Sequence, residues 1–235
     1  MAAAYKLTVL LKRRADLDAD SFADAWLEVD RGYPPIAPGL ERYVFNRRVS
    51  GPLSIADLPS APYDAVIETW WRRKNDAADW VVSGAFENGW LGRRRAMLAE
   101  RPAAVAGQPV VCWERPLTDE MSPVTVFTLP VARRNLRLGE FSERWVGVYR
   151  GVVLASPGAQ EGIVRCELTP ALLGAPSRFE RTRFDGVSAV TFVSAEALVA
   201  AYDSEHRRTI VAPGERDLVD PVFSGRFIGT PVDLT

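Results

Sequence analysis

One position, met twice in the chain, carries the first suggestion of chemistry. Phe22-Ala-Asp-Ala-Trp26-Leu-Glu-Val-Asp30-Arg31-Gly32 recurs as Phe141-Ser-Glu-Arg-Trp145-Val-Gly-Val-Tyr149-Arg150-Gly151, at a constant offset of 119 residues (Phe22 to Phe141). Aromatic, arginine and glycine positions are kept, while Asp30 is exchanged for Tyr149. Asp30 follows Trp26 by four residues and so flanks the apolar stripe of the helix. A carboxylate near a helix C-terminus meets the unfavourable end of the dipole, which raises its pKa and suits it to take a proton beside a carbonyl. The alternative reading is a surface aspartate paired with Arg31 or a nearby lysine. Tyr149 has two readings as well: a hydrogen-bond donor to a developing enolate oxygen, or a filler of a second pocket that needs no acid or base.

Glu68 lies inside an apolar run between Val66, Ile67 and Trp70, where a carboxylate needs a partner. Either an arginine on a neighbouring strand supplies it, or Glu68 faces a cleft as a second acid; its counterpart in the second half is Ala189. Asp64 and Asp185 start matched strands and suit turn-fixing hydrogen bonds. His206, the sole histidine, sits between Asp203-Ser-Glu205 and Arg207-Arg208, which suggests a solvent-exposed helix residue. Cys112 and Cys166 lie in apolar runs without metal-ligand spacing and read as buried, reduced thiols. Six of the seven tryptophans belong to the first half, an asymmetry that suggests a larger, aromatic-lined cavity there.

The elements that must position these groups follow from periodicity. Tyr5–Leu11 alternates as a strand. Asp16 to Ser21 supplies a helix start, Phe22, Ala25, Trp26 and Val29 form one apolar face, and Gly32 with Pro34-Pro35 stops it. Strands are expected over 40–46, 63–71 and 109–114, a connection over 52–62, and helical stripes through Ala77, Trp80, Val81 and then Trp90 to Leu98. The order β-α-β-β-α-β is ferredoxin-like. After a polar linker it repeats, with strands over 124–129, 162–168, 184–192 and 221–228 and helices over 138–149 and 194–212. The expected domains are 1–116 and 123–235. Each sheet would leave one apolar face uncovered, and placing the two faces together inside one chain solves this.

Composition bounds the function. The 235 residues are 47% hydrophobic and 25% charged with net charge −1, so no global charge favours nucleic acid or an anionic membrane. The start of the chain lacks a basic leader followed by an apolar run, and no segment approaches membrane-spanning length, so a soluble cytoplasmic protein is expected. No dinucleotide fingerprint, P-loop, nucleophile elbow or metal-binding cluster occurs.

Lys6-Leu-Thr-Val-Leu-Leu-Lys-Arg13, Phe22-x3-Trp26, Pro38-Gly39-Leu40 and Tyr63-Asp64-Ala-Val-Ile-Glu68 resemble the EthD family of the dimeric α/β-barrel superfamily. The second half is similar through Phe141-x3-Trp145 and Phe184-Asp185-Gly186-Val187. The resemblance implies an α+β fold: two tandem ferredoxin-like βαββαβ repeats packed sheet to sheet as an intramolecular dimeric α/β barrel. It also implies cofactor-free chemistry without a metal. The reaction expected is that of a lyase or isomerase, dehydratase- or cyclase-like, on an aromatic or polycyclic carbonyl compound in the N-terminal cleft. Where relatives end the first helix with a histidine, this chain has Asp30 and Tyr149. The expected catalytic set is Asp30, with Glu68 and Tyr149, and the expected substrate-binding set is Trp26, Tyr33, Trp70, Trp90 and Trp145. A non-catalytic carrier or sensor is the alternative reading. A haem protein using His206, or a cofactorless oxygenase, is a minor one. Association into a further homo-oligomer is left open.

Overall fold

The computed structural model describes residues 4–50, 53, 55, 58–156, 158–172 and 178–235. The first three residues and much of the connection read over 52–62 lie outside the described residues. Strand β1 (Tyr5–Leu11) leads into helix α1 (Ala19–Gly32), whose first turn is capped by the Asp18 carboxylate accepting from the Ser21 backbone N–H at 2.8 Å. Strands β2 (Leu40–Arg48) and β3 (Ala65–Trp71) follow, then helix α2 (Lys74–Val82), a π-helical turn over Ala85–Trp90, and the short α3 (Leu91–Arg94). β4 (Ala103–Gly107) closes the first unit and β5 (Val110–Glu114) follows it.

The same order returns. β6 (Val124–Leu129), α4 (Leu138–Val148) with a π-helical turn over Tyr149–Val153, α5 (Ala159–Gly162), β7 (Ile163–Pro170) and β8 (Gly186–Phe192) come first. α6 (Ala195–Asp203), a π-helical turn over Arg207–Val211, α7 (Ala212–Arg216) and β9 (Gly225–Asp233) complete it. Among the described residues, no helix is long and apolar enough to cross a membrane.

The described strands form one sheet in the order β4-β1-β3-β2-β9-β6-β8-β7-β5. Two ferredoxin-like blocks stand in series, and the long β9 joins them: Gly225–Gly229 pairs with β6 while Gly229–Asp233 pairs with β2. The sheet curls until its ends meet, with the Leu172 N–H donating to the Ala106 carbonyl at 2.8 Å and the Glu180 N–H to Pro102 at 2.9 Å. Gly107 makes that approach possible, because a Cβ there would collide with the Pro170 carbonyl. The expected α+β barrel of two ferredoxin-like units is the observed fold.

One strand differs from expectation. The segment expected as the fourth strand of the first unit is β5, which instead pairs antiparallel with β7 of the second unit. The fourth strand of the first unit is β4, which pairs with β1. Its sequence, Ala-Ala-Val-Ala-Gly, has almost no β-branched or aromatic signal. The helix expected over 194–212 is likewise broken after Asp203 and again by a π-helical turn.

Three apolar clusters result. One lies between the first sheet block and its helices, one between the second block and its helices, and one inside the barrel around Leu10, Val66, Val105, Phe127, Val187 and Phe227.

Candidate functional site in the C-terminal cleft

The gap between helices and sheet in the first unit is filled. Trp26 meets Trp90 edge-on at 5.7 Å between ring centroids, Trp80 meets Trp90 at 5.7 Å, and Phe86 stacks on Trp90 at 5.3 Å. Asp30 is 1% exposed at the end of α1 and forms an ion pair with Arg94 of α3. The Tyr43 hydroxyl donates to Asp30 Oδ2 at 3.2 Å and accepts from Trp90 Nε1 at 3.2 Å, and Arg94 Nη1 donates to the Trp90 carbonyl at 2.7 Å. Burial raises the pKa of Asp30, and the Arg94 guanidinium and the hydrogen bonds work against that rise. The surface reading with Arg31 as partner is thereby replaced by a buried pair with Arg94. The groove beside it, about 200 Å³, is lined by Tyr33, Pro34, Pro35, Trp80, Trp90 and Arg93, and does not include Asp30. Tyr33 is 56% exposed there, with the Arg93 guanidinium 3.7 Å from its ring centre. The tryptophan asymmetry thus reflects a packed core, and the larger helix-side cavity lies in the other half.

Glu68 and Trp70 point to the opposite face of the sheet, into the barrel, because they share strand parity with each other and not with Ile67 and Trp71. The structure therefore does not bring them together with Asp30, Trp26 or Trp90. Lys6 on β1 donates to Glu68 at 2.5 Å and also to Glu167, and Asn46 Nδ2 donates to the second Glu68 oxygen at 3.0 Å. Trp70 Nε1 donates to Glu167 at 3.1 Å, and Arg165 donates to it at 2.6 Å. Burial pushes Glu167 up, but Lys6 and Arg165 outweigh it and hold the carboxyl down at about 2. Lys6 and Glu167 were not anticipated. Lys6 reads as the solvent side of an alternating strand, and only the joining of two sheet faces buries it to 1% exposure. A cavity of about 460 Å³ opens at this end of the barrel, with Glu68, Trp70, Arg42, Arg165 and Asp233 among its walls. Most of its charges are paired, Arg42 with Asp233 at 2.9 Å and Arg165 with Glu114, while Arg115, also in the wall, donates to the Glu161 backbone carbonyl.

The second unit keeps the helix-to-sheet gap open. Trp145 near the end of α4 and Tyr149 at the start of the π-helical turn after it face the sheet, Trp145 packing against Gly186, where a Cβ would meet its ring at 2.6 Å. Tyr149 forms the wall between two cavities, one of about 400 Å³ and one of about 240 Å³. The larger is mostly apolar, lined among others by Ile163, Val190, Phe192, Ala201 and Val211, with Ser156, Glu161, Tyr202, Ser204 and Arg207 as polar groups beside Tyr149. The smaller adds Trp145, Thr128 and Glu215.

The opening has a sequence cause. Helices α2 and α6 and the turns after them correspond at an offset of 121 residues (Tyr63 to Phe184). At that offset Trp80 becomes Ala201, Trp90 becomes Val211, Ile67 becomes Ser188, Phe86 becomes Arg207, and Arg94 becomes Glu215. Two indoles are replaced by a methyl and an isopropyl group, which vacates the volume. The pair Asp30–Arg94 becomes Tyr149 and Glu215.

The electrostatics of this cleft follow. The Tyr149 hydroxyl shares a hydrogen bond of 3.2 Å with Ser188 Oγ. Burial, then Glu215 and Tyr202, push its pKa well above the ordinary phenol value, with Arg207 opposing, so the group remains a donor at neutral pH. Arg207 donates to Glu215 at 2.6 Å and lies 4.5 Å from the Tyr202 ring centre. Burial disfavours its charge, but Tyr202 and Glu215 outweigh that and keep it protonated. Arg207, Glu215, Tyr202 and Ser188 were not singled out by sequence reasoning; at the fixed offset of 121 residues they stand opposite Phe86, Arg94, Val81 and Ile67, and that change of residue type is the signal that reveals them. His206, expected as solvent-exposed, is half-buried with its Nε2 3.1 Å from the Val152 carbonyl. It does not line either cavity, so the residues present do not fit a haem held axially by His206.

No protein-family model and no curated protein sequence matches the chain. Solved structures do. A candidate monooxygenase of Fusobacterium nucleatum aligns over 100% of this chain and 94% of its own, with TM-score 0.63 and 9% identity. An anthrone oxidase-like protein aligns over 99% and 92%, with TM-score 0.64 and 11% identity. A chlorite dismutase of Candidatus Nitrospira defluvii, in a complex with imidazole, aligns over 99% and 92%, with TM-score 0.55 and 11% identity. At such identities the likeness is one of fold, and by it this chain has the dimeric α/β-barrel fold.

Proposed function

We propose that the chain binds a flat, mainly apolar small molecule carrying an oxygen acceptor in the C-terminal cleft, and that Tyr149 donates a hydrogen bond to that oxygen. The observation that carries this reading is the cavity of about 400 Å³ with a buried, protonated phenol in its wall. A cleft of that volume suits a compact aromatic or polycyclic carbonyl compound. A fixed donor in a mostly apolar site stabilises negative charge developing on an enolate oxygen, which is the requirement of lyase and isomerase chemistry. The EthD-like reaction class thus moves from the N-terminal to the C-terminal cleft, with Tyr149 as the donor, Trp145 and Glu215 in the wall of the adjoining smaller cavity, and Glu161 as the carboxylate that lines the larger one. Asp30, held by Arg94 away from the groove, takes a structural role in this reading.

A second reading, a carrier or sensor, is favoured by one observation: the Glu215 carboxylate is already paired with Arg207 at 2.6 Å. The neighbours' names add oxidation as a competing reaction. One experiment separates the three. Aromatic ketones that bind are incubated with the protein in air and under argon, and the recovered compound is analysed. An isomerised or dehydrated product in both atmospheres supports the lyase or isomerase reading, an unchanged compound supports the carrier, and an oxygen-dependent product supports an oxygenase. Tyr149→Phe is expected to lower turnover by about 10²-fold with intact folding; unchanged turnover removes Tyr149 from the mechanism.

A further inference from the structure

The two cysteines, distant in sequence, meet across a strand pair at the edge of the second sheet block. In β5 the register with β7 shifts between Val111, opposite Glu167, and Trp113, opposite Cys166, so Cys112 is the extra residue of a β-bulge. A bulge sets two residues against one, which places the Cys112 side chain beside Cys166 instead of on the far face. Both pack on the same apolar cluster, Cys166 buried and Cys112 half-buried. Neighbouring Cα atoms of an antiparallel pair lie about 4.5–5.5 Å apart, within the span a disulfide bridges.

The two thiols are inequivalent. The Cys112 thiol donates to the Val110 carbonyl at 3.9 Å; contact with the Cys166 thiol is the main cause that brings Cys112 down to about 7, against partial burial and the nearby Glu167 carboxylate. Arg150, one residue past Tyr149, adds a nearby positive charge that lowers it further. Cys166 is pushed well above its ordinary value by the same contact and by burial. A partly exposed thiolate beside an arginine, with a second thiol in reach, is the arrangement of an oxidisable cysteine with its resolving partner.

We propose that Cys112 is a modification site for hydroperoxides and that Cys166 resolves it to an intramolecular disulfide. The Cys112 thiolate attacks one peroxide oxygen, the O–O bond breaks, and hydroxide leaves as water after taking a proton, giving a sulfenic acid. The Cys166 sulfur then attacks the Cys112 sulfur, its proton and the departing hydroxyl leave as a second water, and the S–S bond forms. Two thiols are oxidised and one peroxide is reduced to two waters. An added dithiol reverses the change. This site is independent of what the C-terminal cleft binds.

The test treats the folded wild-type protein with hydrogen peroxide at pH 7, followed by mass spectrometry and thiol titration in denaturant. Both thiols are expected to disappear together, with the monomer losing the mass of two hydrogens and regaining it with dithiothreitol. Cys166→Ser is expected to stop at a Cys112 sulfenic acid that dimedone traps. Arg150→Ala is expected to slow oxidation about three- to tenfold at pH 7, because the thiolate fraction falls. Two free thiols at peroxide concentrations that oxidise free cysteine would overturn the proposal. So would a wild-type product in which Cys112 is over-oxidised and Cys166 remains free, or a disulfide that forms only between molecules.

Discussion

The two helix-to-sheet gaps of this barrel are built on one plan and filled in opposite ways. Trp26 and Trp145 hold matching places at the ends of their first helices, yet one packs against Trp90 and the other borders a void. The difference comes from the second helical segment of each unit, where Trp80 and Trp90 stand against Ala201 and Val211. Indole rings bury large area and also consume the space a ligand would use. The half rich in aromatics has its gap packed, and the half with smaller side chains at the matching positions is the one with room for a ligand.

The largest effect expected from breaking this contrast concerns the buried ion pair. Arg94→Met leaves the Asp30 carboxylate buried without its cation, and urea unfolding is expected to register a loss of about 3–5 kcal/mol. The corresponding change in the other half, Glu215→Gln, is expected to cost less than half as much, since that pair is more exposed, at 11% and 18%. Equal costs would mean that the two gaps are equally sealed.

The next effect separates the barrel interior from both gaps. Glu167, held down at about 2 against an ordinary 4.5, stabilises the folded state fully above the unfolded value. As pH falls from about 4.5 toward about 2 the unfolded chain takes up the proton first, and stability is lost, on the order of 3 kcal/mol. Asp30, with its pKa raised, has the opposite sign: its contribution is greatest at acid pH and declines as pH rises through its folded value. Urea unfolding against pH should show a smaller acid loss in Glu167→Gln than in wild type. An identical profile would remove the Lys6–Glu167–Arg165 cluster from the account.

The smallest stability effect belongs to the site itself. Tyr149→Phe keeps the ring against Trp145 and removes one hydroxyl bonded to Ser188, so a loss of about 1 kcal/mol is expected in the same assay. A loss as large as that of Arg94→Met would make Tyr149 a structural group.

Much of the architecture was legible in the sequence because periodicity and the repeated Phe-x3-Trp segment report directly on local structure. β1, β2, β3, β6 and α1 sit where alternation and capping place them. What failed was non-local. Ala103–Gly107 carries no strand signal, and its pairing with β1 depends on closure of the barrel. Glu68 and Trp70 belong to the same half as Asp30, and membership of one repeat does not say which face of the sheet a strand residue takes; parity sends these two into the barrel. The partners of Asp30 and Tyr149, Arg94 and Glu215, lie 64 and 66 residues downstream (30 to 94, 149 to 215), and only the fold brings the first pair into contact. The position of the cavity follows from which side chains stand at matched places in the two halves, Trp80 and Trp90 against Ala201 and Val211, and not from the number of tryptophans in each.

The central claim is that the C-terminal gap, and not the N-terminal one, receives the ligand. Ala201→Trp restores the indole of the first half to the second and fills the cavity. Trp80→Ala makes the reverse change in the first half. Binding of 1-indanone and 1-tetralone, followed by tryptophan fluorescence on wild type and both variants, tests the claim directly. Wild type and Trp80→Ala are expected to bind alike, while Ala201→Trp is expected to lose affinity at least about tenfold, a difference of ~1.4 kcal/mol. Undiminished binding by Ala201→Trp, or loss confined to Trp80→Ala, would contradict it.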